Sequence, residues 1–74
     1  MIKKQKWEDA RVMFLMCAER FKTAFDYFHL GVANFNLGLF DEAEKVLGVA
    51  NYLDPNSAET WGYLGRVLLK KEEP

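Results

Sequence analysis

The stretch AFDYFHLGVANFNLGLFDEAEKVLGVANYLDPNS, residues 24–57, decides how this chain folds. Its first half carries two stripes, Tyr27, Leu30, Asn34 and Leu37 on one and Phe25, Phe28, Val32 and Phe35 on the other. Steps of three and four residues put each stripe on one side of a helix, and a helix that is apolar nearly all round is buried on both sides. Thr23, with Asp26 three residues on, predicts the start of that helix, and Gly38 predicts its end. Asp41 followed by Glu44 predicts a capping-box-like start for a second helix. Asp54-Pro55 must stop it, because proline cannot continue the hydrogen-bond ladder. The stretch reads as one helical hairpin.

The pattern continues in both directions. Upstream, Trp7, Ala10, Phe14, Cys17, Ala18 and Phe21 share one helical face. Downstream, Asn56 or Ser57 caps a helix that runs through Trp61, Leu64, Leu68 and Leu69 to the charges at Lys70–Glu73. Two series then repeat at nearly the same interval: Tyr27, Leu30 and Gly31 return as Trp61, Leu64 and Gly65, and Ala10, Phe14 and Cys17 return as Ala43, Leu47 and Ala50. A shared interval of this length is the mark of a stacked helical unit. The expected fold is all-α, with antiparallel helical hairpins stacked as a short solenoid of about four helices. Gly31, Gly65, Ala10, Ala43 and Ala50 are expected to let helices approach closely, with Tyr27 and Trp61 filling the space beside them.

Composition narrows the function. The chain has 74 residues, a formal net charge of -1, one Cys and one His. A chain this short depends on a staple, a metal or a partner for extra stability. No intrachain disulfide can form and no zinc site of the common Cys/His type can be built, so a protein partner is expected, and no metal or cofactor. Balanced charge argues against nucleic acid. The longest apolar run, Val12 to Ala18, is too short to cross a bilayer, so no membrane partner is expected, and a lone thiol suits a reducing cytoplasm.

These residues resemble the tetratricopeptide repeat, whose 34-residue unit carries aromatic-x-x-Leu-Gly on its first helix, Ala-x-x-x-aromatic on its second and a late proline. The matching residues are Tyr27, Leu30 and Gly31, then Gly38-Leu39-Phe40-Asp41-Glu42-Ala43, Ala50, and Asp54-Pro55-Asn56. The resemblance implies a complete repeat at 24–57, the second helix of a preceding repeat at 7–22 and the first helix of a following one at 58–71. Asn34, where the family usually has Tyr, and Leu47, where it often has an aromatic, depart from the pattern. More narrowly, Leu30 to Ala33, Ala43-Glu44 and Ala50-Asn51 to Ala58 through Leu64 are similar to the C-terminal repeats of a family of cilia- and flagella-associated proteins. That similarity implies a structural role in the axoneme or cytoskeleton.

In such repeats part of the second stripe faces a groove that receives a peptide or partner helix. The resemblance nominates Phe28, Val32, Phe35 and Asn36 there, although core packing is the safer expectation for any one of these aromatics. On the last helix the matching places are Glu59, Gly62, Arg66, Leu69 and Lys70, with Arg66 and Lys70 one turn apart and able to meet a carboxylate. Family members that grip the acidic tail of heat-shock chaperones use Lys, Arg and Asn where this chain has Phe28 and Val32, so that function is not expected. His29 has no nucleophile or second His at a useful spacing, and Cys17 reads as a small interior residue, so no enzyme is expected. The function expected is a protein-protein interaction module or scaffold that uses the groove or the open ends of the stack. Faces such as Trp61, Leu64 and Leu68 on the last helix are expected to be only partly covered, so that the chain stacks with copies of itself or completes another protein's array. The alternatives are a self-assembling helical-repeat oligomer and an RNA-binding helical repeat.

Overall fold

The computed structural model describes residues 2–73, with side chains from Gln5, and forms four helices: α1 Ile2–Phe21, α2 Ala24–Asn36, α3 Phe40–Leu53 and α4 Ala58–Glu72. The fold is all-α, and tight links fold successive helices back antiparallel. α1 starts at Ile2, ahead of the expected Trp7, so its first turns extend past the repeated segment.

Local chemistry sets most of the boundaries. Thr23 accepts a hydrogen bond from the Asp26 amide at 3.2 Å and donates its hydroxyl proton to the Asp26 carboxylate at 2.9 Å, which satisfies an amide the helix start would otherwise orphan. Ser57 likewise accepts from the Thr60 amide at the start of α4. Gly38 takes φ +79 just past α2, the left-handed conformation that suits glycine, and α3 ends at Leu53, just before Asp54-Pro55. The expected capping box on α3 does not form. Leu39 is the N-cap and offers no side-chain bond, while Asp41 lies inside the first turn, where it meets the helix dipole with Glu42. The turn entering α3 places its cap two residues earlier than the carboxylate suggested.

The core lies where α2, α3 and α4 meet. Ala43, Leu47 and Val67 are fully buried, with Phe28, Phe35, Phe40, Tyr63 and Leu64 packed around them. Ala33 and Ala50 are also closed off, and Ala18 and Leu30 nearly so. Gly31 is the closest approach: a Cβ there would stand 2.5 Å from Leu47 Cγ, so the leucine fills the place a side chain would take. Ala10 is half-buried on α1. Two other expectations do not hold: Gly65 faces open space and Phe21 is exposed. Trp61 is 55% exposed, only partly covered as expected of a face on the last helix. Rather than filling a crossing, the Trp61 indole donates to the Pro55 carbonyl at 2.9 Å and lies against the turn before its own helix.

The packing repeats as the sequence does. Phe14 of α1 meets His29 of α2 with ring centroids 5.2 Å apart. Their counterparts one period on are Leu47 of α3 and Tyr63 of α4, which lie together in the core. α2 is therefore held between α1 and α3, whereas α4 rests on α3 and touches α2 lightly.

Candidate functional site

α2 and α4 are joined across the top of α3 by a single ring. Tyr63 packs edge-on against Phe28 at 5.6 Å and against Phe35 at 5.6 Å, and Phe35 meets Phe40 at 5.6 Å. Edge-to-face geometry sets the positive rim of one ring on the negative face of the next. Phe28 and Phe35, nominated for the groove, thus lie in the seam between α2 and α4, each half-buried. Half-buried Val32 and exposed Asn36 stand further round α2, where the Asn36 amide donates to the Val32 carbonyl at 2.9 Å.

On α4, Arg66, Leu69 and Lys70 are all exposed. The Arg66 guanidinium lies 5.0 Å over the Tyr63 ring, a cation–π contact that holds it along the seam. Lys70, one turn from Arg66, lies 3.7 Å from Glu73. The residues brought together are Phe28, Phe35 and Arg66, through Tyr63. Leu69 and Lys70 stand beyond them.

At the upper end of the seam is a cleft of about 280 Å³ lined by Phe25, Phe28, His29, Asp54, Glu59 and Thr60, among others. His29 Nδ1 is 2.9 Å from the Phe25 carbonyl, and its ring packs at 4.1 Å on Phe25 and 5.1 Å on Phe28. Rings and its own helix thus occupy the histidine. Phe25 is 64% exposed and forms an apolar wall to the cleft. A second cleft of about 390 Å³ runs between α1 and the end of α2, lined by Glu8, Asp9, Arg11, Val12, Leu37 and Leu39.

Of the remaining signature residues, Leu30, Ala43 and Ala50 are buried, Tyr27, Phe14 and Leu64 are half-buried, and Pro55 is exposed in the turn before α4. Neither Tyr63 nor Lys71 stands out in the sequence. Tyr63 follows His29 at the interval that separates Trp61 from Tyr27, and that spacing was the available signal. Lys71 reaches across to α3, 2.9 Å from Asp41 and 2.5 Å from Glu44. The hydrogen bond from Lys71 holds the Asp41 carboxyl below its usual range, and the bonds to Glu44 and Asp41 raise Lys71 above the usual ammonium value. Among the described residues, no three His, Cys, Asp or Glu gather to hold a metal ion, and no helix is long and apolar enough to cross a membrane.

The chain is similar to Cilia- and flagella-associated protein 70 of Macaca fascicularis and of Homo sapiens, 32% identical to each over 69 residues. The alignment covers 93% of this chain but 7% and 6% of the two relatives, so the chain spans a small part of their length. No family model matches the chain, and no solved structure matches it.

Proposed function

We propose that this chain is a non-catalytic protein-interaction module of the tetratricopeptide kind, with its complete repeat at 24–57, serving as a docking or scaffold element of a ciliary axoneme. The observation that carries the reading is the seam between α2 and α4. Phe28 and Phe35 of α2 meet Tyr63 of α4, with Arg66 lying over that ring, while Val32 and Asn36 stand further round α2 and Leu69 and Lys70 are exposed beyond them on α4. Such a face offers an extended peptide or a partner helix apolar area in the middle and a charged rim, the composition of an interface. The non-catalytic part of the reading is supported by His29, whose Nδ1 and ring are already engaged. The ciliary part is supported by the names of the two relatives.

The test is affinity capture from ciliated-cell extract with the wild-type chain and with a Val32→Glu, Leu69→Glu double variant. Both positions lie outside the fully buried core, so helicity should be kept, and circular dichroism checks it. The reading requires axonemal proteins captured by the wild type and lost by the variant. Equal capture by both, or none by either, rejects it.

A further inference from the structure

The cleft beside Phe25 is bounded by residues 24–60: the first turns of α2, the link between α3 and α4, and the first turn of α4. Its volume of about 280 Å³ falls below the roughly 300 to 1,000 Å³ of sites that enclose a whole small molecule, and suits a single long side chain. The rings of Phe25, Phe28 and His29 form an aromatic wall. Asp54 and Glu59 bring two negative charges, and neither has an ion-pair partner among the described residues. No lysine or arginine among those residues lines the cleft. His29 Nδ1 lies 2.9 Å from the Phe25 carbonyl, which can only accept, so the neutral ring carries its proton there and keeps Nε2 as a further acceptor. The starts of α2 and α4 would draw an anion, but Thr23 and Ser57 already take the Asp26 and Thr60 amides.

We propose that this cleft takes an arginine side chain of the docked partner, its guanidinium stacked on Phe25 and paired with Asp54 and Glu59. The assignment rests on the docking reading above, because the cleft is the upper end of that seam. Charge and shape choose the occupant. A ring face attracts a cation, and two carboxylates with no base beside them complement one. Arginine suits the cleft better than lysine, since a planar guanidinium can lie on an aromatic face while its N–H fork still reaches the carboxylates. The chain makes the same contact with itself twice, Arg20 lying 5.5 Å over the Phe21 ring and Arg66 5.0 Å over Tyr63. Phe25 is 64% exposed and has no such cation among the described residues. An apolar partner residue would cover the two carboxylates without pairing them, which selects against it.

Titration of N-acetyl-arginine amide into the isotope-labelled 74-residue chain, followed through backbone amide shifts, tests the proposal. The corresponding amides of citrulline, which is isosteric but uncharged, of lysine and of glutamate serve as comparisons. Arginine should shift the amides of residues 24–29 and 54–60 and bind roughly tenfold or more tighter than citrulline. The Asp54→Asn, Glu59→Gln double variant and Phe25→Ala should each weaken arginine binding by roughly tenfold, with circular dichroism checking that both are folded. Asparagine at 54 still offers an oxygen to the Asn56 amide, so the turn before α4 is kept. Citrulline or lysine binding as tightly as arginine overturns the proposal, as do unchanged binding in the double variant, glutamate shifting the same amides, or no arginine shift at the cleft. Val32 and Leu69 do not line the cleft, so the Val32→Glu, Leu69→Glu variant should still take arginine. Seam-dependent capture without arginine binding overturns the cleft assignment and leaves docking standing, whereas arginine binding without such capture supports the site and rejects the seam as the docking face.

Discussion

Gly31 and Leu47 share one volume: the Cβ that glycine lacks would fall 2.5 Å from Leu47 Cγ and 2.6 Å from Cδ2. Carbon atoms do not pack so closely, so a side chain at Gly31 can be admitted only by moving the leucine or its helix. Gly31→Ala should therefore destabilise the chain by roughly 1 to 3 kcal/mol, the usual cost of overpacking. Gly65, its partner in sequence, meets nothing within 4 Å. There the same substitution should stabilise by about 0.5 to 1 kcal/mol through helix propensity alone. Urea unfolding of the two variants gives opposite signs, and equal destabilisation would reject the asymmetry.

Leu47 is also one of the two largest fully buried side chains. Leu47→Ala leaves a cavity under Gly31 and Tyr63 and should cost about 2 to 5 kcal/mol. A domain of this size holds roughly 4 to 11 kcal/mol in all, so the variant should be largely unfolded in mild denaturant. A retained cooperative thermal transition near the wild-type midpoint would be the contrary result.

The capped start of α2 and the bare start of α3 form a matched pair of tests. Thr23→Ala removes the bond to the Asp26 amide and should cost about 1 kcal/mol. Leu39→Asp supplies a cap where none exists, on an exposed side chain, and should add a similar amount. Thermal melting decides both signs.

These caps show what was legible in the sequence. Thr23, Gly38 and Asp54-Pro55 mark helix ends because their chemistry acts on neighbours within one helical turn. The start of α3 was misplaced because Leu39 becomes the N-cap through the geometry of the turn, and no side chain announces it. Trp61 was assigned to a helix crossing because its counterpart Tyr27 has a covering helix, whereas the indole instead finds Pro55. For the candidate face, the family resemblance nominated Phe28 and Phe35 but not Tyr63, which joins them in a seam, since a contact between α2 and α4 depends on how both rest on α3. Lys71 was equally hidden, as its acceptors stand on another helix.

The Lys71 bridge has a defined pH range. The Asp41 pKa is lowered in the fold, so its contribution is present above the usual carboxylate value of 3.8 and fades as pH falls through the lower folded value. That of Lys71 is raised, so its contribution is present below 10.5 and fades as pH rises through the higher folded value. Lys71→Gln should therefore lower thermal stability at neutral pH, with the difference from wild type shrinking at both extremes and in high salt. A difference unaffected by salt would mean that Lys71 acts through packing alone.

Asn34 is 4% exposed, and its carbonyl oxygen finds no donor. An unsatisfied buried acceptor costs about 1 to 3 kcal/mol, so Asn34→Leu, which keeps the branching and heavy-atom count although its methyls are bulkier, should stabilise the chain by about 1 kcal/mol where the site admits them. Denaturant midpoints check the gain, and a loss would show that the amide has a partner in solution.

Among the described residues α1 touches α2 and no other helix, while α2 and α3 share the most extensive contact in the molecule. Opening α1 therefore disturbs one neighbour, and the chain unravels from its outer helices inward along the order in which they are stacked. Because nearly every contact joins helices adjacent in sequence, the central hairpin is expected to collapse on a local search and to fold ahead of the flanking helices, which φ-values high in α2 and α3 and low in α1 and α4 would show.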